Sequence, residues 1–271
     1  MNILCIGDVV GKPGRYAIAG LVEKLKKDLA IDLVVVNAEN AAGGSGLTGR
    51  IAKNLFHMGA DVLTLGDHAW DQKDIESYLK EDDRVLRPAN FPEGVVGKGY
   101  TIVTTKSGIK VGVVNILGRV FIRYAVECPF RTLEKIIDII RRETSIIVVD
   151  FHAEATSEKV ALGYFIDGRV SAVFGTHTHI QTADEKILPQ GTAYITDVGM
   201  TGPYDSVIGQ NKEHIIKRFL TSLPTPFNVA EDDIMLCGIL VRIDEKTGKA
   251  LSIERMQIPF KKEDQNALAQ K

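Results

Sequence analysis

Short apolar runs alternate with segments of helical spacing along the first third of this chain, and each run ends in an acid, an amide or an imidazole. Residues 2–7 read as a strand that stops at Asp8, with a loop at Gly11, Pro13 and Gly14. Residues 15–30 place Ile18, Leu21, Val22, Leu25 and Leu29 on one helical face. Residues 31–36 form the next strand and lead into Asn37-Ala38-Glu39-Asn40. A helix over 48–58 precedes a strand over 61–65, which ends in Gly66-Asp67-His68, and 71–80 is again helical. This β-α-β-α-β-α order predicts a mostly parallel sheet with helices outside it.

The middle of the chain changes character. Arg87-Pro88-Ala89-Asn90-Phe91-Pro92 is irregular and bounded by prolines. Residues 100–105 and 109–117, separated by Lys106-Ser107-Gly108, read as a hairpin. A long loop over 119–129 follows, then a helix over 133–142, a strand over 145–151 ending at His152, and a helix over 157–166. The apolar run 170–174 is a buried strand that delivers Gly175-Thr176-His177-Thr178-His179. A strand over 193–196, a loop over 199–203 and a helix over 206–219 follow, and strands 236–244 and 250–257 close the chain as a hairpin. One α/β domain of residues 1–260 on two packed sheets, with a frayed polar tail over 261–271, is the expected organisation.

Composition bounds the function. The chain has 271 residues, 45% hydrophobic and 25% charged, which is ample for a large core. A net charge of −2 offers no basic surface for duplex nucleic acid. Cys5, Cys128 and Cys237 are far apart and odd in number, which suits free thiols in a reducing cytoplasm. The start carries no basic, long-apolar leader, and no apolar run reaches the ~20 residues that span a bilayer. A cytoplasmic location without membrane contact is therefore expected.

The residues just past the strands are Asp8, then Glu39 and Asn40, then Asp67 and His68, then His152, then His177 and His179. Sites in open α/β folds form outside the carboxyl ends of strands, so five strands are expected to bring this set to one edge of the sheet. A catalytic metal needs about three protein ligands. Eight candidates suit two ions ~3.5–4 Å apart with a shared carboxylate. Carboxylate, amide and imidazole donors together admit iron, manganese and zinc.

This series resembles the calcineurin-like metallophosphoesterases, whose usual motifs are Asp-x-His, Gly-Asp, Gly-Asn-His, His and Gly-His-x-His. Val10 stands where the first His is usual, and Asn37-Ala38-Glu39-Asn40 replaces the Gly-Asp motif. Both departures resemble the bacterial YmdB-type branch, as do Gly7-Asp8-Val9-Val10-Gly11, Arg87-Pro88-Ala89-Asn90-Phe91-Pro92, the segment from Asp150 to Glu158 and the segment from Thr196 to Pro203. The likeness runs from Met1 to about Gln257. It implies an α-β-β-α sandwich of two mixed sheets. It also implies hydrolysis of phosphodiesters, 2′,3′-cyclic nucleotides among them, by a metal-bridging hydroxide. Asp8, Glu39, Asn40 and His179 would hold one ion. Glu39, Asp67, His152 and His177 would hold the other, and His68 would be the proton donor or a phosphate contact beside the site. The branch has Asn before that His where this chain has Asp67. Iron or manganese is favoured over zinc, RNA ends are a further substrate class, and a homo-oligomer is implied.

Other readings compete. Gly44-Ser45-Gly46-Leu47-Thr48-Gly49 matches a dinucleotide fingerprint, yet Glu39 and Asn40 separate it from the strand. Amidohydrolases use His-x-His after their first strand, whereas here it comes late. A regulatory protein that retains a metal site, or a phosphomonoesterase or nuclease of the same superfamily, would keep the same ligands. His57 and His214 read as surface residues, Trp70 as a helix-start anchor or base-stacking ring, and Arg119 and Arg123 as loop charges or phosphate contacts. Asp71 and Glu154 are candidates to orient histidines.

Overall fold

The computed structural model describes residues 1–261, so the expected tail lies outside the described residues beyond Lys261. The chain begins β1 (Asn2–Ile6), α1 (Gly11–Asp28), β2 (Leu33–Asn37), α2 (Gly49–His57), β3 (Val62–Thr64), α3 (Ile75–Glu81) and β4 (Val85–Leu86). It continues β5 (Tyr100–Thr104), β6 (Lys110–Leu117), α4 (Pro129–Ile140), β7 (Ile147–His152), α5 (Thr156–Phe165), β8 (Ala172–Thr176), β9 (Lys186–Ile187) and β10 (Ala193–Ile195). The last elements are β11 (Gly202–Pro203), α6 (Lys212–Thr221), β12 (Ile234–Ile243) and β13 (Ala250–Pro259).

Two mixed sheets result. One has the order β11-β12-β1-β2-β3-β4 with β13 on the other edge of β12, and the second has the order β5-β6-β7-β8-β10-β9. The period of two along each strand sorts the side chains. On β1, Leu4 and Ile6 face Ile18 and Val22 of α1, while Ile3 and Cys5 point into the apolar layer between the sheets with Val148 and Phe174. On β7, Val149 and Phe151 pack under Ile137 of α4 and Leu162 of α5. The layers therefore run α-β-β-α, as the resemblance implies.

Several boundaries shift for local reasons. Helix α1 starts at Gly11 rather than 15, because Pro13 in a first turn forfeits only an N–H with no intrahelical partner. Helix α4 likewise starts at Pro129, with proline in its first turn. Helix α6 begins at Lys212, not 206: Val207 and Gln210 close a small turn, and the Asn211 side chain caps His214 N at 3.0 Å. The pieces β4 and β9 have two residues each, too short to show a period. The five strands that carry the candidate ligands do not share one sheet. Strands β1, β2 and β3 belong to the first and β7 and β8 to the second, so the candidate site lies at the seam between the two sheets.

Candidate active site at the seam of the sheets

Glu39, Asp67, His152 and His177 each offer a ligand atom, and these atoms lie within 4.8 Å of one another, an arrangement that could hold a metal ion. His152 Nε2 is 3.1 Å from Glu39 Oε1, 3.2 Å from Asp67 Oδ1 and 2.9 Å from His177 Nδ1. Gly66 makes this approach feasible: a Cβ there would lie 2.2 Å from Glu39 Oε2 and 2.4 Å from His152 Nε2. Beside this cluster stand Asp8 and His179, and Asn40 follows Glu39 directly in the chain. His179 Nε2 is 4.0 Å from Asp8 Oδ1, and the backbone N–H of His177 donates to Asp8 Oδ2 at 3.2 Å.

Two atoms there are orphaned. Asp8 Oδ1 and Asn40 Oδ1 are buried without a hydrogen-bond partner. A buried carboxylate oxygen with no donor is costly, and a cation is the usual remedy. The ring nitrogens agree with that. His179 turns Nδ1 to the Ile208 carbonyl at 2.9 Å, leaving Nε2 toward Asp8. His152 Nδ1 lies 2.8 Å from Thr176 Oγ1, which donates to Asp150 Oδ1 at 2.7 Å, leaving Nε2 toward the cluster. His177 has Nε2 3.2 Å from Glu154 and Nδ1 on the cluster. Each histidine thus keeps one nitrogen for the centre while the other is tied down, the usual partition in metal sites.

Electrostatics follow from this packing. Burial alone would lower the pKa of His152, but Glu39, Asp67 and Asp8 outweigh it and push it well above the ordinary value. Burial would raise Asp67, yet hydrogen bonds with His152 and His177 and the charges of His152 and His68 hold its carboxyl well below the usual range.

His68 stands at the rim with its side chain 31% exposed. Its backbone N–H donates to Glu39 Oε2 at 3.2 Å. Nδ1 is 2.7 Å from Asp71 Oδ2 and 3.1 Å from Ser45 Oγ, and Ser45 also donates to Asp71. Burial raises the Asp71 carboxyl, but hydrogen bonds from Ser45 and His68, the His68 charge and Arg123 keep it low, so it stays ionised. Arg123 Nη2 donates to the Asp67 carbonyl at 2.7 Å and to Asp71 Oδ1 at 3.0 Å. The glycine-rich loop serves this site: Asn40 Nδ2 donates to the Gly44 carbonyl at 3.2 Å, and Ser45 reaches His68. His57 lies on α2 and His214 on α6, and neither is in the cluster. Trp70 packs edge-on to Phe91 at 5.6 Å as an apolar anchor.

Two supports escape a reading of strand ends. The first is a polar layer directly below the cluster. Asp150, fully buried, accepts from Thr176 and Thr64 and from Asn37 Nδ2 at 3.0 Å. Burial pushes this carboxyl up to about 6. The only signal in the sequence is an acid inside the run Ile147-Val148-Val149-Asp150-Phe151. The second holds the His-x-His turn. His177 has φ 99° and His179 φ 65°, a left-handed backbone that non-glycine residues avoid. Asp197 accepts from Thr178 N at 3.1 Å, Thr178 Oγ1 at 2.8 Å, Gly199 N at 2.8 Å and Lys159 Nζ at 2.7 Å. Lys159, 2% exposed, also donates to the Thr176 carbonyl at 2.8 Å.

A two-sheet α/β sandwich with acids, an amide and imidazoles converging on the seam has the architecture of the calcineurin-like phosphoesterases. Within that class the chain belongs to the YmdB-like family, whose sequence model matches residues 4–256. A Bacillus subtilis (strain 168) protein named 2′,3′-cyclic-nucleotide 2′-phosphodiesterase is 51% identical over 258 residues, covering 95% of this chain and 97% of that one. A crystal structure of a hypothetical protein from Thermus thermophilus superposes with a TM-score of 0.89 at 39% identity, covering 96% of this chain and all of that one. A crystal structure described as a novel phosphatase from Mycoplasma pneumoniae gives the same TM-score at 36% identity, with 96% and 93% covered.

Proposed function

We propose that this chain is a dinuclear metal-dependent phosphodiesterase that hydrolyses 2′,3′-cyclic nucleotides and RNA ends carrying that group. In this reading Asp8, Glu39, Asn40 and His179 hold one divalent ion, and Glu39, Asp67, His152 and His177 hold the other. Iron or manganese is favoured, and zinc fits the same donors. The carrying observation is the pairing of a compact four-donor cluster with two buried, unpartnered oxygens, Asp8 Oδ1 and Asn40 Oδ1. The name of the Bacillus subtilis relative supports the substrate class. Among the described residues no helix is long and apolar enough to cross a membrane. The three free cysteines suit a reducing, cytoplasmic setting.

Two bound divalent ions would supply Lewis acidity, a lowered pKa for the attacking water and countercharge for the phosphoryl oxygens. The protein does the rest. Thr176 over Asp150, Glu154 and the Ile208 carbonyl fix the tautomers and ring planes of His152, His177 and His179. Asp71 accepts from Nδ1 and, with Ser45, fixes the His68 ring, so that in the imidazolium form the second ring N–H, on Nε2, is the one left to give a proton. The attacking water first gives up one proton to solvent; as the hydroxide oxygen bonds to phosphorus, the bond from phosphorus to O2′ breaks with its electron pair on O2′, and His68 gives its proton to O2′. Arg123 pins the backbone of Asp67 and the carboxylate of Asp71 together, so the proton donor keeps its place beside the cluster.

Metal content of freshly purified protein, followed by turnover of 2′,3′-cyclic AMP, bis-p-nitrophenyl phosphate and p-nitrophenyl phosphate, tests this. Two ions per chain and faster turnover of the diesters are expected. Protein that takes up manganese or iron yet turns over neither diester would overturn the enzymatic reading in favour of a metal-holding scaffold. A preference for the monoester would make it a phosphomonoesterase.

A further inference from the structure

The segment between β6 and α4 arches across one side of the site. It leaves from the cluster itself, since Gly118 N donates to the His152 carbonyl at 2.9 Å. No side chain fits there: a Cβ on Gly118 would lie 2.6 Å from Ala153 Cβ and 2.7 Å from Glu158 Oε2. The next two N–H groups, of Arg119 and Val120, donate to the Glu158 carboxylate at 3.0 and 3.3 Å. Glu158 lies four residues on from Glu154, which touches His177. The arch lands on the opposite flank, where Arg123 bonds the Asp67 carbonyl and Asp71, the partner of His68. Ile122 and Tyr124 pack beneath it against Phe91 and Leu117. Both feet are thus fixed to residues around the cluster, and the span between them is only a few residues.

Phe121 stands in the middle of that span. It is 86% exposed and has φ 63°. A bulky residue in this left-handed conformation is strained, and such strain persists where the surrounding structure imposes it. The ring recovers almost nothing by burial, and a plain turn would suit Gly, Asn or Asp better. A flat apolar ring carried on a span whose two feet are anchored beside the candidate site suits a nucleobase, since every base offers a π-face. We propose that Phe121 stacks on the nucleobase of the substrate and sets a preference for nucleotides over simple cyclic diesters. The inference rests on the phosphodiesterase reading above.

The test compares 2′,3′-cyclic AMP with glycerol 1,2-cyclic phosphate, which presents the same five-membered cyclic diester and no base, using metal-loaded wild type, Phe121→Ala and Phe121→Trp. Alanine keeps a Cβ, so the backbone restriction is unchanged. Phe121→Ala is expected to raise KM for the nucleotide about 10-fold, the scale of one lost stacking contact, with kcat nearly unchanged and glycerol 1,2-cyclic phosphate unaffected. Phe121→Trp is expected to restore KM. Equal changes on both substrates, or an unchanged KM for the nucleotide, would overturn the proposal. Equilibrium binding of 3′-AMP and of inorganic phosphate separates this from the fate of the catalytic reading. If the wild type turns over neither substrate, that reading falls, and weaker 3′-AMP binding by Phe121→Ala with unchanged phosphate binding still upholds the stacking role. Unchanged 3′-AMP binding refutes it.

Discussion

Replacing Lys159 by methionine removes the cation under the His-x-His turn while keeping most of its side-chain volume. Asp197, with no exposed surface, would retain its bonds from Thr178 and Gly199 but lose its only charged partner in the turn. Breaking a buried pair by removing one member costs about 3–5 kcal/mol. The three remaining donors to Asp197 place this case near the lower end. At about 2–4 °C per kcal/mol for a chain of this order, the metal-free protein should melt about 6–12 °C lower. The exposed pair Lys24–Asp28 is the control, with side chains 74% and 52% accessible. Lys24→Met should cost less than about 1 kcal/mol. The melts are run with chelator present, so that loss of metal binding cannot masquerade as loss of the ion pair. A second readout follows from geometry: with the turn released, His177 and His179 can leave φ 99° and 65°, and metal affinity should fall. A metal-free Lys159→Met protein that melts within about 2 °C of wild type would refute the stabilising role assigned to this pair.

Glu39→Gln should lose at least one ion and nearly all diesterase activity, since Glu39 is the acid assigned to both ions; two firmly held metals with normal turnover would defeat that assignment. His68→Ala should keep both metals and slow turnover by about 10²–10⁴-fold, with a smaller loss for p-nitrophenolate leaving groups; an equal loss on all leaving groups would make His68 a binding residue instead. Asp150, raised to about 6 by burial, contributes stability that is intact below its unfolded value and lost as pH climbs through about 6. That loss is about 3 kcal/mol in metal-free protein. Asp150→Asn should therefore gain on wild type as pH rises from 4 to 7 in chelated denaturant titrations, and a pH-independent difference would contradict the burial argument.

The strand ends were readable because the candidate ligands follow apolar runs closely: Asp8 after β1, Glu39 after β2, Asp67 after β3. What links those ends was not. Asn37 meets Asp150 across 113 residues and Thr64 meets it across 86, in the opposite sheet, and no local period records such a contact. Asp71 was expected to open a helix, but its carboxylate is taken by His68, Ser45 and Arg123, and α3 starts only at Ile75. Lys159 sits in a helix among residues that read as an ordinary surface, and only the buried Asp197 reveals its purpose.

The position of β1 in its sheet has a consequence for how the molecule is made. Its neighbours are β2, which follows within 40 residues of sequence, and β12, which ends at Ile243. During synthesis the edge of β1 that β12 will cover stays open for tens of seconds at ordinary ribosomal rates. Asp8 hangs at the end of that half-paired strand, so its support from β12 arrives only after Ile243, well after the last candidate donor, His179, has emerged. A nascent chain in this state exposes Ile3, Leu4 and Cys5 beside an unpaired backbone edge, a surface that invites chaperone contact or pairing with another chain.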